Sequence, residues 1–237
     1  MRYTRALLFS MFVALCLTGS SFAGTVGMTF ENVGPGNQIG GEYTYPYYFS
    51  INSSSSLTPL ICDTYSNSIS FGQSWQANVS SLPPNGAGMW SGLSNATQYY
   101  EASAILFSEM LNHTVVAGQA VTSTTGNLAI WALFDGGRSN SGWTPYEQTL
   151  IDQALRLAAY GQSAAFYSQF QVYTPVGASP GNGPQEFIGC TNGTCSGVAL
   201  SEPASLPILG SGLMIFVGLL HWTTRRRETE TEQPVIG

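Results

Sequence analysis

The nonapeptide Gly126-Asn127-Leu128-Ala129-Ile130-Trp131-Ala132-Leu133-Phe134 decides how this 237-residue chain folds. Its last seven residues are all apolar and contain no turn former, which reads as a short helix buried on most sides. Such a helix needs cover from its neighbours, and two longer helical patterns flank it. Over residues 95–113, Tyr99, Ala102, Leu106 and Met110 recur at helical spacing behind Asn95, a suitable N-cap. Further on, Thr144-Pro145-Tyr146-Glu147 sets a Thr N-cap, a Pro at the first helical position and a Glu at the third. That capping box starts a helix that runs to Tyr160 and stops at Gly161, with Leu150, Ile151, Ala154, Leu157 and Ala158 on its apolar face.

Around these helices the pattern turns to strands, alternating with period two over residues 42–51, 69–79 and 164–176. Strands are predicted over residues 24–30, 42–51, 57–63, 69–79 and 164–176, with Pro46 marking an edge or bulge in the second. Residues 32–41 and 80–92 are rich in Gly, Pro and Asn and read as loops. Residues 186–198 read as a hairpin or loop. The expectation is an α+β fold: one β-rich domain with two or three helices packed on a sheet.

Both ends of the chain carry targeting features. Arg2 and Arg5, an apolar stretch over residues 6–17 and Ser21-Phe22-Ala23 make residues 1–23 a secretory signal peptide, with Cys16 inside its apolar part. The exported globular domain then spans 24–200. Near the other end, Ser201-Glu202-Pro203 precedes nineteen residues, 204–222, whose single ionisable side chain is His221. A helix of that length can cross a bilayer core, and Arg225, Arg226 and Arg227 form a basic stop-transfer flank. Residues 228–237 form a short acidic tail.

Composition narrows the partners. The chain has no Lys, and between residues 24 and 202 ten acids face only Arg138 and Arg156, a formal charge of −8. Such a surface repels polyanions, so nucleic acid is not an expected partner. An aromatic content of 12% argues against disorder. Tyr43, Tyr45, Tyr47, Tyr48, Trp75, Trp90, Tyr99, Tyr100 and Trp143 divide between core positions and a stacking face for sugars. Cys190 and Cys195 bracket the turn-forming residues 191–194 and are assigned to one disulfide. Cys62 is left over.

The tail resembles the PEP-CTERM sorting signal of bacterial exosortase substrates, in its Glu202-Pro203 motif, its membrane-length helix and its arginine cluster. Two details depart from that pattern: Ser201 stands where Pro is usual, and ten residues follow Arg227. The resemblance implies an exosortase-type processing enzyme as partner. It also implies initial retention in the inner membrane through the C-terminal helix, then cleavage over residues 201–203 and transfer of the domain to the cell surface or extracellular matrix. There an exopolysaccharide or surface ligand is the expected partner. The other outcome is a single-pass protein that stays anchored.

Within the domain, Ile61-Cys62-Asp63 and Gly126-Asn127-Leu128-Ala129-Ile130-Trp131 resemble the two motifs of the thioester domains of bacterial surface adhesins. In that family a Cys on a strand reacts with a Gln on a helix to form an internal thioester that captures a target covalently. The resemblance makes Cys62 and Asn127 a thioester-like site. Asn127 occupies the Gln position and is one methylene shorter.

No catalytic residue, metal ligand or cofactor site is assigned. His113 is the one His before the tail and reads as a charge partner for a helix C-terminus. No Gly-x-Ser-x-Gly elbow, CxxC or HxxxH is present. Glu101 and Glu109 read as a solvated helix face, and Asp135 and Asp152 as surface acids. The expected role is structural or adhesive, not enzymatic; a covalent thioester adhesin and a secreted enzyme of unrecognised type are the alternatives.

Overall fold

The computed structural model describes residues 24–191. The signal peptide, Cys195, the 201–203 motif, the apolar span 204–222, the arginine cluster and the acidic tail lie outside the described residues. Among the described residues no helix is long and apolar enough to cross a membrane.

Among the described residues ten strands and four α-helices follow one another, with one 3-10 turn. They are β1 (Gly24–Val33), β2 (Gln38–Ile39), β3 (Glu42–Tyr43), β4 (Tyr47–Ile51), β5 (Leu57–Cys62), β6 (Ser74–Ser81), α1 (Ala96–Leu111), β7 (Val115–Val116), β8 (Gln119–Ala120), α2 (Ser123–Phe134), the 3-10 turn (Gly137–Ser139), α3 (Pro145–Tyr160), α4 (Ala164–Tyr167), β9 (Phe170–Pro175) and β10 (Phe187–Cys190). Six of the strands close an antiparallel barrel in the order β1-β4-β5-β10-β9-β6, with β6 pairing back to β1. The pairs β2–β3 and β7–β8 form small separate ribbons.

Alternation along the strands sorts the core into two clusters. Met28, Phe30, Tyr47, Phe49, Leu60, Cys62, Ala77, Tyr173 and Phe187 pack with one another in one cluster. The intervening residues Ile61, Phe170, Val172 and Ile188 belong to the other cluster, together with the apolar faces of α1, α2 and α3. The helix α2 serves both. Leu128 and Trp131 join the strand cluster, while Ala129, Ile130, Ala132 and Leu133 join the helical layer. This double duty is why the segment is apolar almost all round.

Local chemistry accounts for most element ends. The Thr144–Glu147 capping box is formed, with Glu147 Oε2 accepting from the Thr144 N–H at 2.8 Å, and α3 ends at Gly161. A second capping box, Thr122 with Thr125, starts α2 three residues before the sequence reading placed it. Asn95 does stand at the N-cap of α1, but its side chain makes no capping hydrogen bond.

Four expectations need correction. Residues 69–73 are not strand. They turn at Gly72 (φ +78°), whose N–H donates to Phe30 O, and the β6 ladder begins at Ser74. Residues 42–51 are split by Thr44-Tyr45-Pro46 into β3 and β4. Residues 164–167 are helical, because Ser163 caps them by accepting from Phe166 N, and β9 starts only at Phe170. The stretch read as a hairpin or loop from 186 instead supplies β10, a fully buried strand of the barrel.

Gly137 fixes how closely the 3-10 turn approaches α2. A Cβ there would lie 2.4 Å from Leu128 O and 2.9 Å from Ala132 N, both backbone atoms that cannot yield. Gly137→Ala is therefore expected to destabilise the domain by about 1–3 kcal/mol, read as a lower urea midpoint at unchanged slope; an unchanged midpoint would show that the turn can move away.

Candidate functional site

β5 ends in Leu60-Ile61-Cys62, all fully buried, and delivers Cys62 and Asp63 to the centre of the molecule. The Cys62 thiol is free. It donates to Thr64 O at 3.1 Å and accepts from Thr64 N at 3.4 Å, a closed local pair. Burial, then the neighbouring Asp63 carboxyl, pushes the thiol well above its ordinary pKa. The indole of Trp131 lies beside the thiol and opposes that shift, yet its buried Nε1 finds no partner of hydrogen-bonding geometry. A neutral, dry thiol is a poor nucleophile.

Asn127 and Cys62 do come together, but through the backbone of the Cys. Asn127 Nδ2 donates to Cys62 O at 2.8 Å, and Asn127 Oδ1 accepts from Tyr45 N at 3.0 Å. The carboxamide is fully buried and satisfies a group in the break between β3 and β4 and one at the end of β5 at once. At the other end of α2, Asp135 takes the N–H groups of Tyr65 and Ser66, each at 2.8 Å. Asp135 is thus a clamp on the loop after β5 and not a free surface acid. Nearby, Arg138 donates to Ala132 O at 2.7 Å, placing a cation on the C-terminal carbonyls of α2, and lies over the ring of Trp143.

The barrel register sets Phe187 opposite Cys62, and therefore Glu186 beside Asp63. Both carboxyls are fully buried. Glu186 collects three donors: Met89 N at 2.7 Å, the Tyr100 hydroxyl and the Thr174 hydroxyl. Asp63 Oδ1 accepts from Thr64 Oγ1 at 3.0 Å, whereas Asp63 Oδ2 has no donor. Desolvation foremost, and then Glu186, raises the Asp63 pKa well above the carboxylate range; burial also raises Glu186. A proton on Asp63, donated to Glu186, satisfies both groups. The arrangement is a proton-sharing acid pair with the well-supplied Glu186 as its charged member.

Glu109, expected on a solvated face, is 1% exposed. Its Oε1 accepts from Gln153 Nε2 at 2.8 Å, Oε2 is unpartnered, and burial pushes its pKa to about 7. His113 lies exposed beyond the end of α1 at φ +49°. Asp152 is exposed and accepts from Gln148 at 2.8 Å. Among the described residues no cluster of His, Cys, Asp and Glu is placed to hold a metal ion. Cys190 closes β10 and is disulfide-bonded; its expected partner Cys195, like Ser201-Glu202-Pro203 and Arg225–Arg227, lies outside the described residues.

The sequence reading did not assign Glu186, Tyr100, Thr174 or Asp135 to this centre. One signal was available: Glu186 is a lone acid fused to the apolar run Phe187-Ile188, as Asp63 is to Leu60-Ile61-Cys62, and two strands ending alike can pair their acids.

Family models, curated proteins and solved structures were each compared with the chain, and none matches.

Two outcomes follow from the buried centre. Unfolded Asp and Glu release their protons near pH 4, whereas Asp63, Glu186 and Glu109 hold theirs to higher pH when folded. Their contribution to stability is complete below about pH 4 and is lost as pH rises through the folded-state values. The urea midpoint should fall between about pH 5 and about pH 8, with Glu109→Gln flattening the part around pH 7 and Asp63→Asn removing a further part. A midpoint that climbs over this range contradicts the shared proton. Separately, Asn127→Ala leaves Tyr45 N and Cys62 O unpaired and should destabilise by roughly 1–3 kcal/mol per group, measured by the same titration.

Proposed function

We propose that the chain is an exported, non-enzymatic domain of the cell surface or extracellular matrix, sorted by an exosortase-type enzyme acting on its C-terminal signal. In this reading the barrel and its helices are a thioester-domain-like fold put to a structural or adhesive use. The observation that carries the non-covalent role is the state of the two motif residues. Both polar atoms of the Asn127 carboxamide are engaged by backbone groups, and the Cys62 thiol is buried and neutral. Thioester formation would require the carboxamide carbon to leave both bonds, meet the sulfur and release ammonia from a site closed on all sides.

The sorting part rests on the sequence of the tail: Ser201-Glu202-Pro203, the apolar span 204–222 and Arg225–Arg227. The domain's acidity and lack of Lys suit a molecule that does not adhere to anionic headgroups or nucleic acid.

Cell fractionation tests the reading. In the native host an antibody to the domain should find a processed form, shortened at its C-terminal side, in the surface or matrix fraction. Replacing Glu202 and Pro203 by Ala should hold the chain in the inner membrane at precursor mass. A wild-type chain that itself stays at precursor mass in the inner membrane favours the permanently anchored protein.

A further inference from the structure

A second feature lies on the flank of the acid pair and is open to solvent. A hollow of about 290 Å³ is bounded by β3, the start of β4 and the turn before β6. One wall is aromatic. Phe71 is 55% exposed and stacks on buried Phe30 at a centroid distance of 5.0 Å and an angle of 20°, while Tyr43 meets Phe71 edge-on at 6.0 Å. The Phe71 face is therefore presented to solvent on a rigid support.

The rest of the hollow is polar. Its floor is Asn67 and Gln185, which internal bonds hold fixed. Asn67 Nδ2 donates to Gly183 O at 3.0 Å, and Gln185 Nε2 donates to Thr64 O at 3.0 Å and Asn67 O at 2.8 Å. On the rim, Tyr43, Ser68 and Ser70, each bearing a hydroxyl, and Glu42 line the opening, and among the described residues none of these side-chain oxygens makes a hydrogen bond. No cation lines it.

We propose that this hollow binds a pyranose residue of a neutral polysaccharide. The C–H face of a pyranose ring packs on an aromatic face, and its ring of hydroxyls both donates and accepts, matching the three rim hydroxyls, which do the same, and the Glu42 carboxylate, which accepts. A purely apolar occupant would bury those rim groups unpaired. An anionic glycan would meet Glu42 and a stretch, residues 24–202, of formal charge −8, with no cation in the hollow among the described residues. The volume lies at the small end of ligand pockets, which suits a single sugar residue of a longer chain. The inference deepens the matrix reading above and rests on it for the source of the polysaccharide.

The test is calorimetric titration of the full chain, kept soluble in a sugar-free detergent, with cellopentaose, mannopentaose and galactopentaose, and with polygalacturonate as the anionic probe. At least one neutral oligosaccharide should bind saturably. Phe71→Ala should weaken that binding tenfold or more at an unchanged unfolding midpoint, and Phe71→Trp should keep it. Failure of all three neutral probes, or equal affinity in Phe71→Ala, overturns the site, as does tighter binding of polygalacturonate. A chain that reaches the surface but binds no glycan sinks this inference alone. One that binds glycan yet stays an inner-membrane precursor supports the hollow and overturns the sorting reading.

Discussion

The side chain of Asn127 is the joint on which the molecule turns. An apolar helix against an apolar wall has little to fix its register, because dispersion and burial change slowly as one surface slides over the other. Two directional bonds from one buried carboxamide, to Tyr45 N and Cys62 O, remove that freedom. Asp135 repeats the device at the far end of α2 by holding Tyr65 and Ser66. Between these two anchors Leu128 and Trp131 enter the strand cluster, so polar bonds position the helix and apolar contacts bind it.

The same anchored loop carries Asp63 into the core beside Glu186. Neither carboxyl receives a hydrogen bond from an arginine; the donors are hydroxyls and a backbone N–H. A chain with two arginines between residues 24 and 202 solves the burial of acids with protons and neutral donors instead of ion pairs. The centre is therefore specific in geometry but soft toward alkali, and it is shielded from the chemistry that a surface Cys or acid would offer. The thiol of Cys62 shares this fate, since its two hydrogen-bonding contacts are both to Thr64.

Much of this was legible in residue order, and the limits are physical. The α3 boundaries were readable because Thr144, Pro145, Glu147 and Gly161 each act through local sterics and hydrogen bonds. The start of α2 was not, because Thr125 takes the place that Glu or Gln usually holds in a capping box. The short apolar run over residues 57–63 exposed β5, and alternation over residues 69–79 exposed β6. That alternation misled at Ile69–Phe71, where an apolar-polar rhythm continues through a turn whose Phe71 faces solvent. The closeness of Asn127 to the Cys62 strand was open to inference from the paired motifs. A hydrogen bond from Asn127 to that strand was one of the readings those motifs allowed, whereas the arrival of Glu186 depends on a register between β5 and β10, which lie more than a hundred residues apart. Glu109 was misread because a helical repeat places it on α1 but does not show that α3 covers it with Gln153.

The strand order has a consequence for how such a chain comes into being. Four barrel strands, β6-β1-β4-β5, are complete by Ser81, but β9 and β10, which fill the gap between β5 and β6, are the last to appear. A chain emerging N-terminus first therefore holds a half-sheet with two bare edges while the three long helices are still being added. Closure waits for Phe187–Cys190, and with it the companion that lets Asp63 share its proton. Closure of the barrel is thus deferred until nearly all of residues 24–191 have emerged.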